Sequence, residues 1–174
     1  MSNSPLSDLC GFAREHLRYE AEMFVTARDK LYQRATQPRR PDEAFDSNIL
    51  LESCVLHLRN LVDFFYPQTP KQDDVTARSY IPGWGARSLP LELQEFRVRA
   101  NKELAHITLT RKAGAPPEKD FDFGILSVTM RAIISDFINQ VDLKKVPPET
   151  IDALRKIGSV VLVTGGPVFH SSSG

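Results

Sequence analysis

The chain has 174 residues, of which 41% are hydrophobic, 25% charged and 9% aromatic, a balance typical of a soluble globular protein with a single domain over residues 1–174. Because 22 lysines and arginines offset 22 aspartates and glutamates, the composition argues against intrinsic disorder and against a general nucleic-acid coat protein. No apolar run approaches the roughly 20 residues that span a bilayer, so no membrane association is predicted. No charged segment followed by an apolar core opens the sequence, so a cytoplasmic protein is expected rather than an exported one.

The 12 prolines divide the chain into windows, because a proline removes a backbone donor and disrupts a helix. Four long proline-free windows carry apolar residues three and four positions apart, which is typical of amphipathic helices. They predict helices over about 7–34, 42–66, 91–111 and 123–141, and a short helix is predicted over 149–157. The sequence therefore predicts an all-α fold, an up-and-down bundle of four main helices over about 7–142, followed by a short C-terminal helix and an extended tail over about 147–174.

Further predictions concern the start of the first helix, the position of the fourth helix and the connection over 67–88. Ser7 is the predicted N-cap of the first helix, and the fourth has the clearest apolar stripe, which predicts a central position in the bundle. The connection over 67–88 is long enough to be functional or mobile. It contains Tyr80 and Trp84. These residues either pin the loop to the core, which is the favoured interpretation, or line a small-molecule pocket or stack on a base.

Cysteine and histidine usage argues against a metal site. Cys10 and Cys54 are the two cysteines, too few for a disulfide framework, and both lie in patterns typical of buried helix faces. Cys54 and His57 are three residues apart, but no second Cys or His pair is near enough in sequence to complete a tetrahedral set. No metal and no cofactor is therefore predicted.

The most informative segment is 96–106, within the third predicted helix. Arg99 and His106 are seven residues apart, which places them on one helix face about 10 Å from each other. A guanidinium binds a phosphate through two parallel hydrogen bonds, and a histidine can transfer a proton near neutral pH. Together they suit phosphodiester cleavage without metal. Spacing alone favours a structural alternative, in which Arg99 pairs with Glu95 or Glu103 and His106 caps a buried polar contact.

The all-helical pattern with an Arg, six residues and a His resembles the HEPN superfamily. Residues 101–106, Asn-Lys-Glu-Leu-Ala-His, are similar to the Asn-Lys-x-x-Ala-His form of the motif in several branches of that superfamily. Residues 57–65 are similar to the polar-then-aromatic helix that packs beside the motif helix. At one position the chain departs from the family pattern, since Ala100 follows Arg99 where members usually have a polar residue.

The resemblance implies a metal-independent endoribonuclease, frequently a toxin or defence component, that acts as a homodimer and has an antitoxin protein as partner. It assigns Arg99 to the scissile phosphate, His106 to proton transfer during attack by the RNA 2′-hydroxyl, and Asn101 and Lys102 to binding the RNA backbone. The alternative is a non-catalytic dimerisation or binding module of the same fold, in which His106 is structural and Ala100 marks lost activity.

Two further groups of charged residues have paired interpretations. Arg59 and Asp63 are four residues apart on the second helix, so they either support the catalytic residues from behind or form an ion pair on a solvated face. A basic group could guide RNA into a cleft, although an ordinary solvated helix end is favoured. Its members are Arg28, Lys30, Arg34, Arg39 and Arg40.

Overall fold

A computed structural model of the chain describes residues 8–37, 43–85, 88–101 and 121–159. Within these ranges the secondary structure is helical and contains no strand, which confirms the predicted all-α class. Buried side chains from all the long helices meet in one hydrophobic core. In the described part of the chain, no helix is both long enough and apolar enough to cross a membrane.

The first predicted helix is interrupted by a turn of different geometry. It begins as α1 (Leu9–Phe12), continues through a π-helical turn (Ala13–Leu17) and then runs as α2 (Arg18–Ala35). The side chain of Asp8 caps its start by accepting a 2.7 Å hydrogen bond from the backbone N–H of Gly11. The cap is therefore Asp8, and the predicted cap Ser7 lies outside the described residues.

The π turn has a tertiary partner. In this turn the backbone N–H of Arg18 bonds the Ala13 carbonyl five residues earlier, the pattern of a π-helix. The same carbonyl accepts a 3.1 Å hydrogen bond from the buried Thr150 hydroxyl, which belongs to the helix over 148–157. The irregular turn is thus fixed from outside its own helix.

Helix α3 (Glu43–Phe65) packs along α2 over the most extensive helix–helix contact in the described chain. Its inward face repeats every three or four residues, as the sequence predicts. The buried residues on that face are Leu51, Cys54, Val55, Leu58, Leu61, Val62 and Phe65. This pair of helices provides one side of the bundle.

The long connection after α3 is anchored by its aromatic residues. It contains a single helical turn, α4 (Ala77–Tyr80). The Tyr80 hydroxyl donates to the Leu9 carbonyl at 2.8 Å, and the Trp84 indole N–H donates to the Phe65 carbonyl at 2.9 Å. Both rings contact Phe137 edge-on. The two aromatics therefore pin the loop to the core, which is the favoured interpretation of the sequence.

Three helices complete the described bundle. Helix α5 (Leu91–Ala100) starts directly after Pro90, as predicted, and its predicted continuation to residue 111 lies mostly outside the described residues. Helix α6 (Phe123–Gln140) is capped by Asp122 and buries the predicted apolar stripe. Helix α7 (Pro148–Ile157) is the predicted short C-terminal helix, packed against α2 and α6. The extended tail is predicted from Ser159 onwards, and beyond Ser159 it lies outside the described residues.

Candidate functional site

The C-terminal end of α5 carries the first half of the predicted motif. Arg99 is half-buried, and its guanidinium carbon lies 4.5 Å from the centroid of the Phe121 ring, a distance at which a cation is attracted to an aromatic face. Asn101 is the half-buried C-cap residue of the same helix. Lys102 and His106 lie outside the described residues, so the proximity of Arg99 and His106 stays a prediction.

Arg97, two residues before Arg99, has a structural role. Its side chain is buried, and its Nη2 donates a 2.6 Å hydrogen bond to the Tyr66 carbonyl just after α3. Its Nε lies 3.3 Å from Asp63 Oδ1, an ion-pair contact without hydrogen-bond geometry. Arg97 thus joins α5 to the end of α3, whereas Arg99 remains at the partly exposed edge.

Asp63 and Arg59 form the predicted ion pair within α3. Their closest N–O distance is 3.8 Å, and both side chains keep over a third of their surface exposed. An exposed pair at this distance contributes little to stability. Asp63 also faces Arg97, so it connects α3 to the helix that carries Arg99. The predicted support of Arg99 by Arg59 and Asp63 therefore stays a prediction. The contact that the structure shows is between Asp63 and Arg97.

The environment of Asp63 predicts an unusual titration. Burial raises the pKa of the Asp63 carboxyl above its ordinary value, against the lowering effect of Arg97 and Arg59. Because the folded-state pKa lies above the unfolded value of about 3.9, the folded state binds this proton more tightly. The contribution of Asp63 to the free energy of unfolding should therefore increase as the pH falls through the raised pKa. Carboxyl-detected NMR should find the Asp63 midpoint above 3.9.

Glu149 provides the internal comparison for that titration. Its pKa is lowered, first by the hydrogen bond from its own backbone N–H and then by Arg14. Its contribution to stability is therefore present above the ordinary glutamate pKa and is lost as the pH falls through the lowered value. The Asp63 midpoint should lie above the ordinary aspartate pKa, and the Glu149 midpoint below the ordinary glutamate pKa. An Asp63 midpoint at or below about 3.9 would contradict the effect of burial on this carboxyl.

A cleft of about 620 Å³ opens between the π turn, α3 and the loop 67–76. This volume lies within the range of small-ligand pockets. Its floor is apolar, built by Leu17, Leu61 and Phe64, and its rim is polar. The charged and titratable residues of the rim are His16, Glu20, Arg59, Asp63, Asp73 and Asp74. The walls thus combine four carboxylates with one guanidinium and one imidazole.

Glu20 is held in this cleft by two side chains of α3. Its Oε2 lies 2.7 Å from Nδ1 of the buried His57 and accepts a 3.1 Å hydrogen bond from Asn60 Nδ2. Because an ionised carboxylate only accepts, His57 must carry its proton on Nδ1 in this arrangement. Sequence analysis did not identify this group. The three-residue spacing of His57 and Asn60 is a signal of a shared helix face, but nothing in the sequence connects them to Glu20.

His16 and Cys54 lie in different surroundings, one exposed and the other buried. His16 is exposed, contacts the Phe12 ring and lies on the rim of the cleft. Cys54 is buried, and burial raises the pKa of its thiol far above the ordinary value, which makes it a poor nucleophile or metal ligand. Across the described residues, no three His, Cys, Asp or Glu side chains are grouped so that they could hold a metal ion.

The basic group predicted near the end of the first helix is not a continuous surface. Arg28 is only 2% exposed and donates hydrogen bonds to Ser127 Oγ and to the Ile157 carbonyl. Arg34 pairs with Asp46 at 2.9 Å, while Arg39 and Arg40 lie outside the described residues. Arg28 therefore belongs neither to a solvated helix end nor to a surface that guides RNA. Its buried guanidinium instead joins α2 to the end of α7.

The chain matches no protein-family model, no curated protein and no solved structure in comparisons with known proteins.

Proposed function

We propose that the protein is a HEPN-type, metal-independent endoribonuclease in which Arg99 binds the scissile phosphate. The observation that carries the proposal is the position of Arg99. Its guanidinium stacks on Phe121 at the partly exposed end of α5, so one face of the cation is fixed by an aromatic ring. A cation held in advance of the reaction stabilises developing charge without a cost of reorganisation.

The chemistry follows from the residue types of the motif. The 2′-oxygen of the RNA attacks phosphorus, the bond to the 5′-oxygen breaks, and a 2′,3′-cyclic phosphate and a 5′-hydroxyl are formed. Arg99 would donate two hydrogen bonds to the phosphoryl oxygens, which gain charge in the transition state. His106 would transfer a proton in this step. Asn101 and Lys102 would hold the RNA backbone.

The partners proposed for the enzyme follow from the same resemblance: RNA as substrate, a second copy of the chain and an antitoxin protein. One observation favours an association surface on the motif helix. Leu91 and Val98, seven residues apart on α5, are 64% and 48% exposed and share one face of the helix. The same surface would serve the second candidate function, a non-catalytic dimerisation or binding module.

The test is cleavage of a mixed-sequence RNA by purified protein in excess EDTA, followed by end-group analysis of the fragments. The wild type should release cyclic phosphate ends, and Arg99→Ala should lower the rate by about 10²–10³, the usual loss for one transition-state donor. His106→Ala should lower it as well. Arg155→Ala and His16→Ala are the matched controls, because both replace exposed side chains outside the motif.

Two outcomes would refute the ribonuclease. In the first, wild-type protein fails to cleave several RNAs in any oligomeric state. In the second, cleavage survives in Arg99→Ala and His106→Ala, which would trace it to a contaminant. Unchanged helical circular dichroism in each variant separates loss of chemistry from loss of fold. Absence of cleavage together with a stable dimer would favour the binding module.

A further inference from the structure

We propose that the cleft between the π turn, α3 and the loop 67–76 binds a small organic polycation of the diamine or polyamine class. The cleft includes Arg59 and Asp63, the predicted support of Arg99, but it does not contain Arg99, and the inference does not depend on ribonuclease activity. Its starting point is the cavity itself, which has about 620 Å³ of volume over a floor of leucine and phenylalanine side chains. A hydrocarbon chain can lie on such a floor while polar ends reach the rim.

The charge of the walls selects a cation. Glu20, Asp63, Asp73 and Asp74 contribute four carboxylates, whereas Arg59 is the one permanent cation among the lining residues that the structure describes. A concave surface with this excess of one sign concentrates ions of the opposite sign. An RNA phosphate would be repelled from these walls, which also argues that the cleft is not the place where RNA binds.

Glu20 is oriented for a ligand by two side chains of α3. His57 and Asn60 both bind Oε2, and Oε1 receives no hydrogen bond from the described residues. The Glu20 side chain is 24% exposed and the His57 side chain 8%, so the carboxylate can be reached while the imidazole that holds it is buried. An ammonium at Oε1 would therefore meet an acceptor whose geometry is already fixed.

Asp63 supplies a second anchor in the same cleft. It follows Asn60, the residue that holds Glu20, by three positions on α3, and Cβ atoms at this spacing are about 5–6 Å apart. Arg97 Nε lies 3.3 Å from Asp63 Oδ1, and 43% of the Asp63 side chain stays exposed. Glu20 on α2 and Asp63 on α3 thus present two oriented carboxylates to one cleft, which suits two ammonium groups joined by a methylene chain.

Isothermal titration of the full chain with putrescine and spermidine tests the proposal. We expect saturable binding of one ligand per chain, and no binding of butane-1,4-diol, which has the chain length of putrescine without its charges. Glu20→Gln and Asp63→Asn should each weaken binding about tenfold or more, the scale of one charge-assisted hydrogen bond. Glu92→Gln, an exposed glutamate in the first turn of α5, should leave the affinity unchanged.

A second variant keeps the test decisive where a carboxylate substitution disturbs the fold. Thr69→Trp adds a large side chain at an exposed loop position on the cleft wall and should abolish binding by filling the space. The proposal is overturned if neither amine binds saturably at millimolar concentration, or if Glu92→Gln weakens binding as much as Glu20→Gln. The latter result would indicate unspecific attraction to surface charge. RNA is absent from these titrations, so their outcome is independent of the ribonuclease test.

Discussion

Phe137→Ala should lower the free energy of unfolding by about 3–5 kcal/mol, the usual cost of removing a buried phenylalanine side chain. Phe137 is fully buried on α6 and contacts four further aromatic rings. These rings are Phe64, Phe65, Tyr80 and Trp84. The substitution would leave a cavity where α3, α6 and the long loop meet, since rings held by hydrogen bonds cannot collapse fully into the space.

Denaturant unfolding followed by circular dichroism measures this effect. Ile125→Ala is the matched control, because Ile125 lies on the same helix but is 54% exposed, and its change should stay within about 0.5 kcal/mol. Fluorescence of Trp84 gives a local readout, because the indole contacts Phe137 directly. A loss below about 1 kcal/mol in Phe137→Ala would mean that the aromatic cluster is less closely packed than described here.

Arg28→Met should cost about 2–3 kcal/mol of unfolding free energy. The guanidinium donates to the carbonyl of Ile157, the last residue of α7, at 2.7 Å and to Ser127 Oγ at 3.1 Å. Each hydrogen bond from a charged group contributes about 1.5–3 kcal/mol, and relief of the cost of burying a cation offsets part of their loss. The carbonyls at the C-terminus of α7 would also lose a favourable positive charge.

Lys30→Met is the matched control for Arg28→Met, because Lys30 is an exposed cation two residues further along α2. Combination with Ser127→Ala in a double-mutant cycle should show a coupling of about 0.5–3 kcal/mol, as expected for residues in direct contact. A stability equal to or above that of the wild type would contradict the prediction. It would indicate that the cost of burying the charge exceeds the value of its hydrogen bonds.

The helices were predictable because their signals are local. The stripe of α6 runs through Phe123, Met130 and Phe137 at spacings that fit an α-helix, and each of these residues is buried. Prolines mark the starts of α5 and α7, where a missing N–H costs nothing. Tyr80 and Trp84 were correctly assigned to pinning the loop, since large aromatics in a long connection find partners in the core.

The features that sequence analysis missed depend on partners distant in the chain. Arg28 lies in a run of basic residues typical of a solvated helix end, and its burial follows from Ile157 and Ser127, about 100 or more residues later. Glu20 meets His57 across two helices. In the motif, Arg99 and Asn101 are two residues apart at the end of α5, so the helical repeat turns their side chains about 200° from each other.

The π turn in the first helix rotates the residues that precede it, near the aromatic loop, relative to those that follow it, near the cleft. A π turn accommodates one residue more than an α-helical turn, and each residue of a helix advances the side chains by about 100°. Side chains before Ala13 are therefore rotated relative to those after Leu17. The Leu9 carbonyl can thus receive the Tyr80 hydroxyl while Glu20, on the same continuous helix, meets His57. With one extra residue in the π turn, the same helix contacts the aromatic loop before this turn and lines the cleft after it.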